Sequence, residues 1–347
     1  MESETNNSSD SDALGSKETT SDLNKERKPP DFSFAKLFSG LTLLLGCGVL
    51  AVFVCSLFGR NFLISELMSN FRLQIAGLMI PFAIIIYRMG VWRWLAWTLF
   101  AGALWSLATI GWIYLPAENP ATGDRPIRVM SYNVLGHNWK QPEVIKLIEE
   151  VDPDVLLVLE YSQNWHERLE PLYEAYPYKV LQPRWHGFGI AFLSKHPIVN
   201  SEVLQLTKYK TDNPSIIATV DVEGQTIRFA GLHSLSPTTK YRFGLRNQQF
   251  RELANHVARK KYPTVVMGDF NCTPWSPFLK DFVEVTGYRD SRQGQGYQVS
   301  WPVAYPMLRI PIDHAFVSEE VHVHSRRIGR SVGSDHLPVI LEISTAQ

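Results

Sequence analysis

Tyr262-Pro-Thr-Val-Val-Met-Gly-Asp-Phe-Asn-Cys-Thr-Pro-Trp-Ser-Pro277 sets an apolar run directly against a polar cluster. Thr264 to Met267 predicts a buried strand, because the residues are β-branched or apolar without alternation. Gly268 allows a sharp backbone turn. Asp269 and Asn271 then fall two residues apart at a strand end, where extended geometry points both side chains the same way. A carboxylate beside an amide suits a cation and a phosphate. The first supplies charge, and the second supplies a donor that does not repel an anion. The same letters fit a local Asx turn, since Asp, Asn and Gly favour turns for reasons of their own. Cys272 reads as a small strand-end filler.

The arrangement recurs outward from this stretch. Asn133 lies in Ser-Tyr-Asn-Val, Glu160 ends Val-Leu-Leu-Val-Leu, and His233 ends Ile-Arg-Phe-Ala-Gly-Leu. Asp313 and His314 sit between Arg-Ile-Pro-Ile and Ala-Phe-Val, and Asp335 and His336 precede Leu-Pro-Val-Ile. Each is a costly polar group beside core sequence. One such residue is ordinary turn or cap chemistry. Six at successive strand ends are better explained by one shared cleft.

The 347 residues carry equal numbers of basic and acidic side chains, 34 of each, so bulk charge advertises no nucleic-acid partner. Three cysteines, at 47, 55 and 272, suggest neither a disulfide framework nor a zinc site. All ten histidines follow residue 130, which confines titratable chemistry near neutrality to the C-terminal two-thirds.

Residues 1–33 are polar and predict a disordered tail without the apolar region of a signal peptide. Residues 34–115 predict three transmembrane helices, at about 37–59, 70–88 and 92–115. Arg72 and Arg88 bracket the second, which is short and contains Pro81; their heads are expected to snorkel to the interfaces. Trp94, Trp97, Trp112 and Tyr114 fit aromatic belts on the third. Lys25, Arg27, Lys28 and Lys36 before the first span, and Arg88 and Arg93 between the last two, put the N-terminus in the cytoplasm. Everything after the third span then lies outside an inner or plasma membrane. Loss of the second span reverses this. Residues 116–126 read as a Pro-rich linker, and 127–347 as the soluble domain.

Within that domain, strands are expected at Arg128–Val134, Asp154–Leu159, Gly187–Ser194, Ser215–Val222, Thr226–Leu232, Pro311–Val317, Val321–Arg327 and Pro338–Ile343. Helices are expected at Gln141–Glu150, Gln163–Tyr173 and Tyr241–Lys260. The reading is an α/β fold with two packed sheets and helices outside.

The ordered set Ser-Tyr-Asn133, Leu-Glu160, Gly-Ile-Ala-Phe, Leu-His233, Gly-Asp269-Phe-Asn271, Ile-Asp313-His and Ser334-Asp335-His336 resembles the endonuclease/exonuclease/phosphatase superfamily. The resemblance spans residues 127 to 345, and with the preceding spans it looks like membrane-anchored bacterial members. It implies a two-sheet β-sandwich flanked by helices (deoxyribonuclease I-like), preceded by the three transmembrane helices. It also implies metal-dependent hydrolysis of phosphodiester or phosphomonoester bonds by in-line attack of water. By the family pattern Glu160 would ligate Mg²⁺ or Mn²⁺, with Asn133 and Asp335 close to it. Asp269 and Asn271 would orient the water and phosphoryl oxygens. His336, held by Asp313, would be general base or electrophilic clamp. His233 would bind the phosphate or protonate the leaving oxygen.

Blander roles remain for several residues. Glu160 fits a helix cap and Asn133 a turn brace. His314 reads as structural, Arg246 and Gln249 as support for the long helix, and His322 and His324 as exposed. His137, His186 and His196 match no motif. Nuclease chemistry is the first expectation for the substrate. However, the only dense basic runs of the soluble part are Arg259–Lys261 and Arg326–Arg327, fewer than duplex binding uses. A lipid headgroup phosphoester is the alternative, with Trp185, Phe188, Trp275, Trp301 and Tyr305 as a possible interfacial surface. A non-catalytic binding module on the same fold is a third reading. The spans lack the internal charges of a transporter path, and the sequence points to no protein partner beyond the bilayer and the phosphoester.

Overall fold

The computed structural model describes residues 33–116, 126–208, 211–258 and 262–345. The polar tail up to residue 32, most of the linker (117–125) and the Arg259–Lys261 run lie outside the described residues.

Four helices come first: α1 (Phe34–Ser56), α2 (Leu63–Ser69), α3 (Arg72–Arg88) and α4 (Arg93–Gly111), the last continuing into a 3₁₀ turn, Trp112–Tyr114. Phe34–Ser56 and Arg93–Tyr114 are long and apolar enough to cross a membrane. The expected second span, about 70–88, coincides with α3, which follows α2 across a 74° bend; its 17 residues reach about 26 Å at ~1.5 Å per residue. At the break Asn70 turns its Oδ1 to the globular domain, accepting from Thr273 N–H (3.0 Å) and the Thr273 hydroxyl (2.9 Å). Arg72 does not snorkel. It is buried, donates to Thr109 Oγ1 at 3.1 Å, and lies over the Trp105 and Trp275 rings. Small residues let the helices close up: a Cβ at Gly102 would sit 2.4 Å from Met79 and 3.0 Å from Phe53.

The helix ends at Ser56, Arg72 and Gly111 all meet the globular part. Arg60 pairs with Asp281 at 2.7 Å, Gln74 reaches the backbone at Arg309, and Ile113 O accepts from Gly294 N–H at 2.9 Å.

The globular part begins β1 (Ile127–Asn133), α5 (Gln141–Val151), β2 (Val155–Leu159), α6 (Gln163–Arg168), β3 (Tyr178–Gln182), β4 (Ile190–Ser194), β5 (Ile198–Gln205), β6 (Pro214–Val222) and β7 (Gln225–His233). It continues α7 (Lys240–Val257), β8 (Thr264–Asp269), α8 (Pro277–Thr286), β9 (Arg289–Asp290), β10 (Asp313–Val317), β11 (Val321–Ile328) and β12 (Val339–Thr345). The strands form two six-stranded mixed sheets, ordered β11-β12-β1-β2-β4-β3 and β5-β6-β7-β8-β10-β9. Leu157, Phe192, Phe229, Met267 and Leu341 fill the space between the sheets. A second apolar layer packs α5 and α6 on the first sheet through Leu147, Ile148, Leu156 and Trp165. A third packs α7 and α8 on the second through Phe250, Leu253, Val266, Phe270 and Phe282. Central strands are therefore covered on both faces, which is why β2, β4 and the stretches 265–267 of β8 and 315–317 of β10 read as apolar without alternation.

Several boundaries move. The helix expected at Gln163–Tyr173 stops at Arg168 and resumes as a 3₁₀ turn carrying Pro171, because proline cannot continue a helix interior. The strand expected from Gly187 starts at Ile190. β3, β5, β9 and α8 were not anticipated. β5 is an edge strand, exposed through most of its length and rich in Asn, Ser, Glu and Gln, so it carries little hydrophobic signal.

Candidate active site

Strand register builds half of the site by itself. β7 and β8 are parallel with His233 opposite Asp269. β8 and β10 are antiparallel with Asp269 opposite Asp313. Three chemically active side chains thus stand in one row across the second sheet. In the first sheet β1 and β2 are parallel with Asn133 opposite Leu159, so Glu160 follows at the same edge. His336 enters on the segment leading to β12.

Asp269 Oδ2 is the convergence point. Asn133 Nδ2 lies 3.4 Å away, His233 Nε2 3.6 Å and His336 Nε2 3.7 Å. On its other face His336 Nδ1 is 2.8 Å from Asp313 Oδ2. The same Asn133 nitrogen donates to Glu160 Oε1 at 3.2 Å, so one amide joins the two sheets' carboxylates. Ser334 locks the arrangement, donating to Asn133 O at 2.7 Å while accepting from His336 N–H at 3.1 Å.

Burial sets the protonation pattern. Asp269 is almost fully buried, and desolvation raises its carboxyl well above the carboxylate range despite His336. Burial alone lowers the His336 imidazole, but Asp313 and Asp269 outweigh it and hold the ring cationic above the ordinary histidine range. Burial pulls Asp313 up, and the His336 charge and hydrogen bond pull it lower still than its usual value. Burial keeps His233 neutral, its ring 5.2 Å from Phe188.

The end of β8 departs from extended geometry. Gly268 has φ +138°, and a Cβ there would lie 1.9 Å from Leu232 O. Asn271 has φ 48°. Its N–H donates to Asp269 Oδ1 at 2.8 Å and its amide donates to Ser234 O at 3.0 Å. The Asx turn and the functional cluster are therefore the same structure: the turn fixes the Asp269 carboxylate. The extended geometry expected to run from Asp269 to Asn271 does not hold, because β8 ends at Asp269 and Asn271 is left-handed.

Glu160 has φ 60°. Its Oε2 accepts from Gly136 N–H at 2.8 Å, and the Gly136 and Gly187 backbones flank the carboxylate. Asp335 Oδ2 accepts from Trp301 Nε1 at 3.0 Å, while its Oδ1 is buried with no partner. An orphaned carboxylate oxygen and a half-exposed Glu160 fit a hard divalent cation. Asn133 presents nitrogen to Glu160 and Asp269, and its oxygen accepts from Leu135 N–H at 3.1 Å. Asp269, Asp313 and His336 also bring ligand-type atoms within 4.8 Å of one another, but there the acids and the imidazole already satisfy each other.

Other residues sort cleanly. His314 is fully buried. Its Nε2 faces Cys272 O at 2.8 Å and its Nδ1 faces Arg292 Nη2 at 2.6 Å. Gln249 Oε1 accepts from Leu235 N–H at 2.9 Å. Arg246 supports the 269–276 turn by donating to Asn271 O at 3.2 Å. His196 lies at the opposite end of the first sheet, 3.9 Å from Asp154. His137 is exposed, and His186 pairs with Asp212 at 3.1 Å on the cleft side. His322 and His324 are half-buried rather than exposed, with His324 on Ser344 Oγ. Of the aromatic set, Trp185 and Tyr305 are exposed and Trp275 is buried against Tyr297. Trp301 and Gly136 hold site carboxylates, and sequence reasoning gave neither that role. Trp301 contacts Asp335 across 34 positions, with no local signal.

Among solved structures, an endonuclease/exonuclease/phosphatase from Beutenbergia cavernae matches at TM-score 0.54 and 20% identity, covering 64% of this chain and 72% of that one. The human Nocturnin catalytic domain with bound sulfate matches at 0.52 and 22%, covering 65% and 97%. D. rerio TDP2 complexed with a single-strand DNA product matches at 0.55 and 16%, covering 64% and 100%. These likenesses show a common deoxyribonuclease I-like fold. No curated protein sequence matches the chain. The Endonuclease/Exonuclease/phosphatase family pattern matches residues 130–336, more than half of the sequence and every residue of the polar row, and the chain belongs to that family.

Proposed function

We propose that the protein is a membrane-anchored, metal-dependent phosphoesterase that cleaves phosphodiester bonds by in-line attack of water. Family members are hydrolases of phosphoester bonds, and the observation that supports the reading here is the convergence of Asn133, His233 and His336 on Asp269 Oδ2. Asp269, with its proton affinity raised by burial, accepts the proton of the attacking water. Asn271 keeps that carboxylate aimed. His336, held cationic by Asp313, clamps the phosphoryl oxygens, and neutral His233 binds beside it. Glu160 and Asp335 would hold Mg²⁺ or Mn²⁺, with Asn133 bracing Glu160, and the ion would supply neutralisation of charge developing on the phosphate.

The membrane reading rests on α1 and α4, with the bent α2–α3 pair as the return pass. Arg88 and Arg93 lie at the helix ends away from the globular part, which favours an outward-facing catalytic domain in an inner or plasma membrane. Protease should cleave residues 127–347 in outer-permeabilised cells; protection there reverses the orientation.

The test of chemistry uses the full chain in lipid nanodiscs with bis-p-nitrophenyl phosphate and Mg²⁺. Turnover abolished in Glu160→Gln and His336→Ala supports the reading. An inactive wild type under Mg²⁺ and Mn²⁺, or full activity in both variants, overturns it.

A further inference from the structure

The segment Trp301–Ile310 touches the candidate site at its base and a membrane helix near its tip. At the base, Trp301 Nε1 donates to Asp335 Oδ2 (3.0 Å), Val303 N–H donates to Asp335 O (2.9 Å), and the Trp301 and His336 ring centres are 6.3 Å apart. The loop is closed by paired backbone bonds between Trp301 and Ile310 and braced by Arg309, which donates to Pro302 O and Val303 O. Near the tip, Gln74 Nε2 in the first turn of α3 donates to Met307 O (3.3 Å) and Arg309 O (3.1 Å).

The tip is apolar and open. Tyr305 is 63% exposed, Met307 86% and Leu308 48%. Three such side chains side by side are costly in water. Leu78 lies one turn along α3 from Gln74 on the same face and is 52% exposed. It begins the outward apolar face that continues through Ile85. The tip extends that face.

We propose that Tyr305–Leu308 inserts into the leaflet entered by α3, and that the adjoining cleft takes a phosphoester carried in that leaflet, an amphiphile with its headgroup phosphate at Asp335–His336. The substrate half of this inference rests on the phosphoesterase reading above; the insertion half does not. A membrane-dipping tip beside the site brings an interfacial substrate to the catalytic row without extraction into water.

The experiment uses the full chain in nanodiscs of phosphatidylethanolamine and phosphatidylglycerol and two esters with the same scissile bond. Hexadecyl p-nitrophenyl phosphate resides in the bilayer; ethyl p-nitrophenyl phosphate stays in solution. The expected result is at least a tenfold loss on the hexadecyl ester in Met307→Asp/Leu308→Asp protein, with the ethyl ester unchanged. Equal loss on both esters, or no loss on either, overturns the proposal. Independently, an environment-sensitive fluorophore at position 307 should be quenched by lipid carrying a doxyl group high on its acyl chain. Absence of quenching overturns insertion whatever the activity. Quenching in a protein inactive on both esters sustains insertion, rejects a leaflet-borne substrate and locates the failure in the phosphoesterase reading.

Discussion

Glu66 and Arg246 form an ion pair in which neither side chain has any solvent exposure, with Arg246 Nη2 2.9 Å from Glu66 Oε1. They are 180 positions apart. Glu66 sits in α2, beside the long apolar helices, and Arg246 in α7. The same guanidinium donates to Asn271 O, so the elbow ahead of α3 holds the turn carrying Asp269. Removing one partner leaves a buried charge uncompensated, which costs about 3–5 kcal/mol. Glu66→Ala should therefore lower the melting midpoint of the full chain in detergent by several degrees. Replacing both partners by apolar residues of similar volume, Glu66→Leu with Arg246→Met, should recover most of that loss. A double variant as unstable as the single would show that the pair matters for something other than unmatched charge. For the same reason a fragment starting at the linker is a poor reagent, since it strips Arg246 of its partner.

Gly268 is irreplaceable on geometry. Its φ of +138° disfavours any L side chain, and the Cβ of alanine would meet Leu232 O at 1.9 Å. Gly268→Ala must push β7 from β8 at the row containing His233 and Asp269. The expected cost is about 3 kcal/mol or more, read as a lowered unfolding midpoint together with lost hydrolysis. Wild-type stability in this variant would mean that the strand end is not built as described.

Much of the site was legible because its residues are paradoxical in place. A histidine after Ala-Gly-Leu or an acid after Val-Val-Met-Gly has no reason to border core sequence unless something shared lies beyond. Register then aligns His233, Asp269 and Asp313 without long-range guesswork. What stayed hidden depends on distant partners. Nothing local marks Glu66 as the mate of Arg246, or Trp301 as the donor to Asp335. The apolar helices α1 and α4 were visible as the uncharged runs 37–59 and 94–117, but the break between α2 and α3 lies where Asn70 accepts from Thr273, 203 positions away. Edge strand β5 escaped because its solvent-facing residues erase the alternation on which strand reading depends.

Asp313 acts through His336. With Asp313→Asn the imidazole loses the partner that counters burial, and its affinity for a proton falls. In the proposed mechanism cationic His336 clamps the phosphate, so activity should drop by ~10²–10⁴-fold. The sign is specific. The alkaline limb of the kcat profile should move to lower pH, and the deficit should shrink as pH falls. A uniform loss with an unmoved limb would assign Asp313 a purely steric role.

His314 gives the opposite pH sign, in stability. Burial, aided by the Arg292 guanidinium, lowers its imidazole to about 3, against ~6.5 unfolded. The Arg292 donor occupies Nδ1, and Nε2–H donates to Cys272 O, so the folded ring is neutral. The unfolded chain therefore binds a proton that the folded chain refuses. The contribution is fully present above the unfolded value and is lost as pH falls below it. Denaturant midpoints should decline from pH 7 to pH 5. His314→Phe, though less stable at pH 7, should show a shallower decline. Parallel slopes in the two proteins would remove His314 as the cause.

Cation binding is measurable without turnover. A ligand that binds only the folded state stabilises it by RT ln(1 + [L]/Kd), about 2.7 kcal/mol at a hundredfold excess over Kd. Asp335 Oδ1 is buried without a partner, and Glu160 keeps a carboxylate at the cleft mouth. Both are relieved by a hard cation, whereas the Asp313–His336 pair is already satisfied. Mg²⁺ should raise the melting midpoint of chelator-treated protein. Glu160→Gln should abolish that rise, because an amide lacks the charge that offsets dehydration of the ion. His336→Ala should retain it. Loss of the Mg²⁺ response in His336→Ala but not in Glu160→Gln would move the cation to the Asp269–Asp313–His336 group, and the clamp assigned to His336 would have to be abandoned.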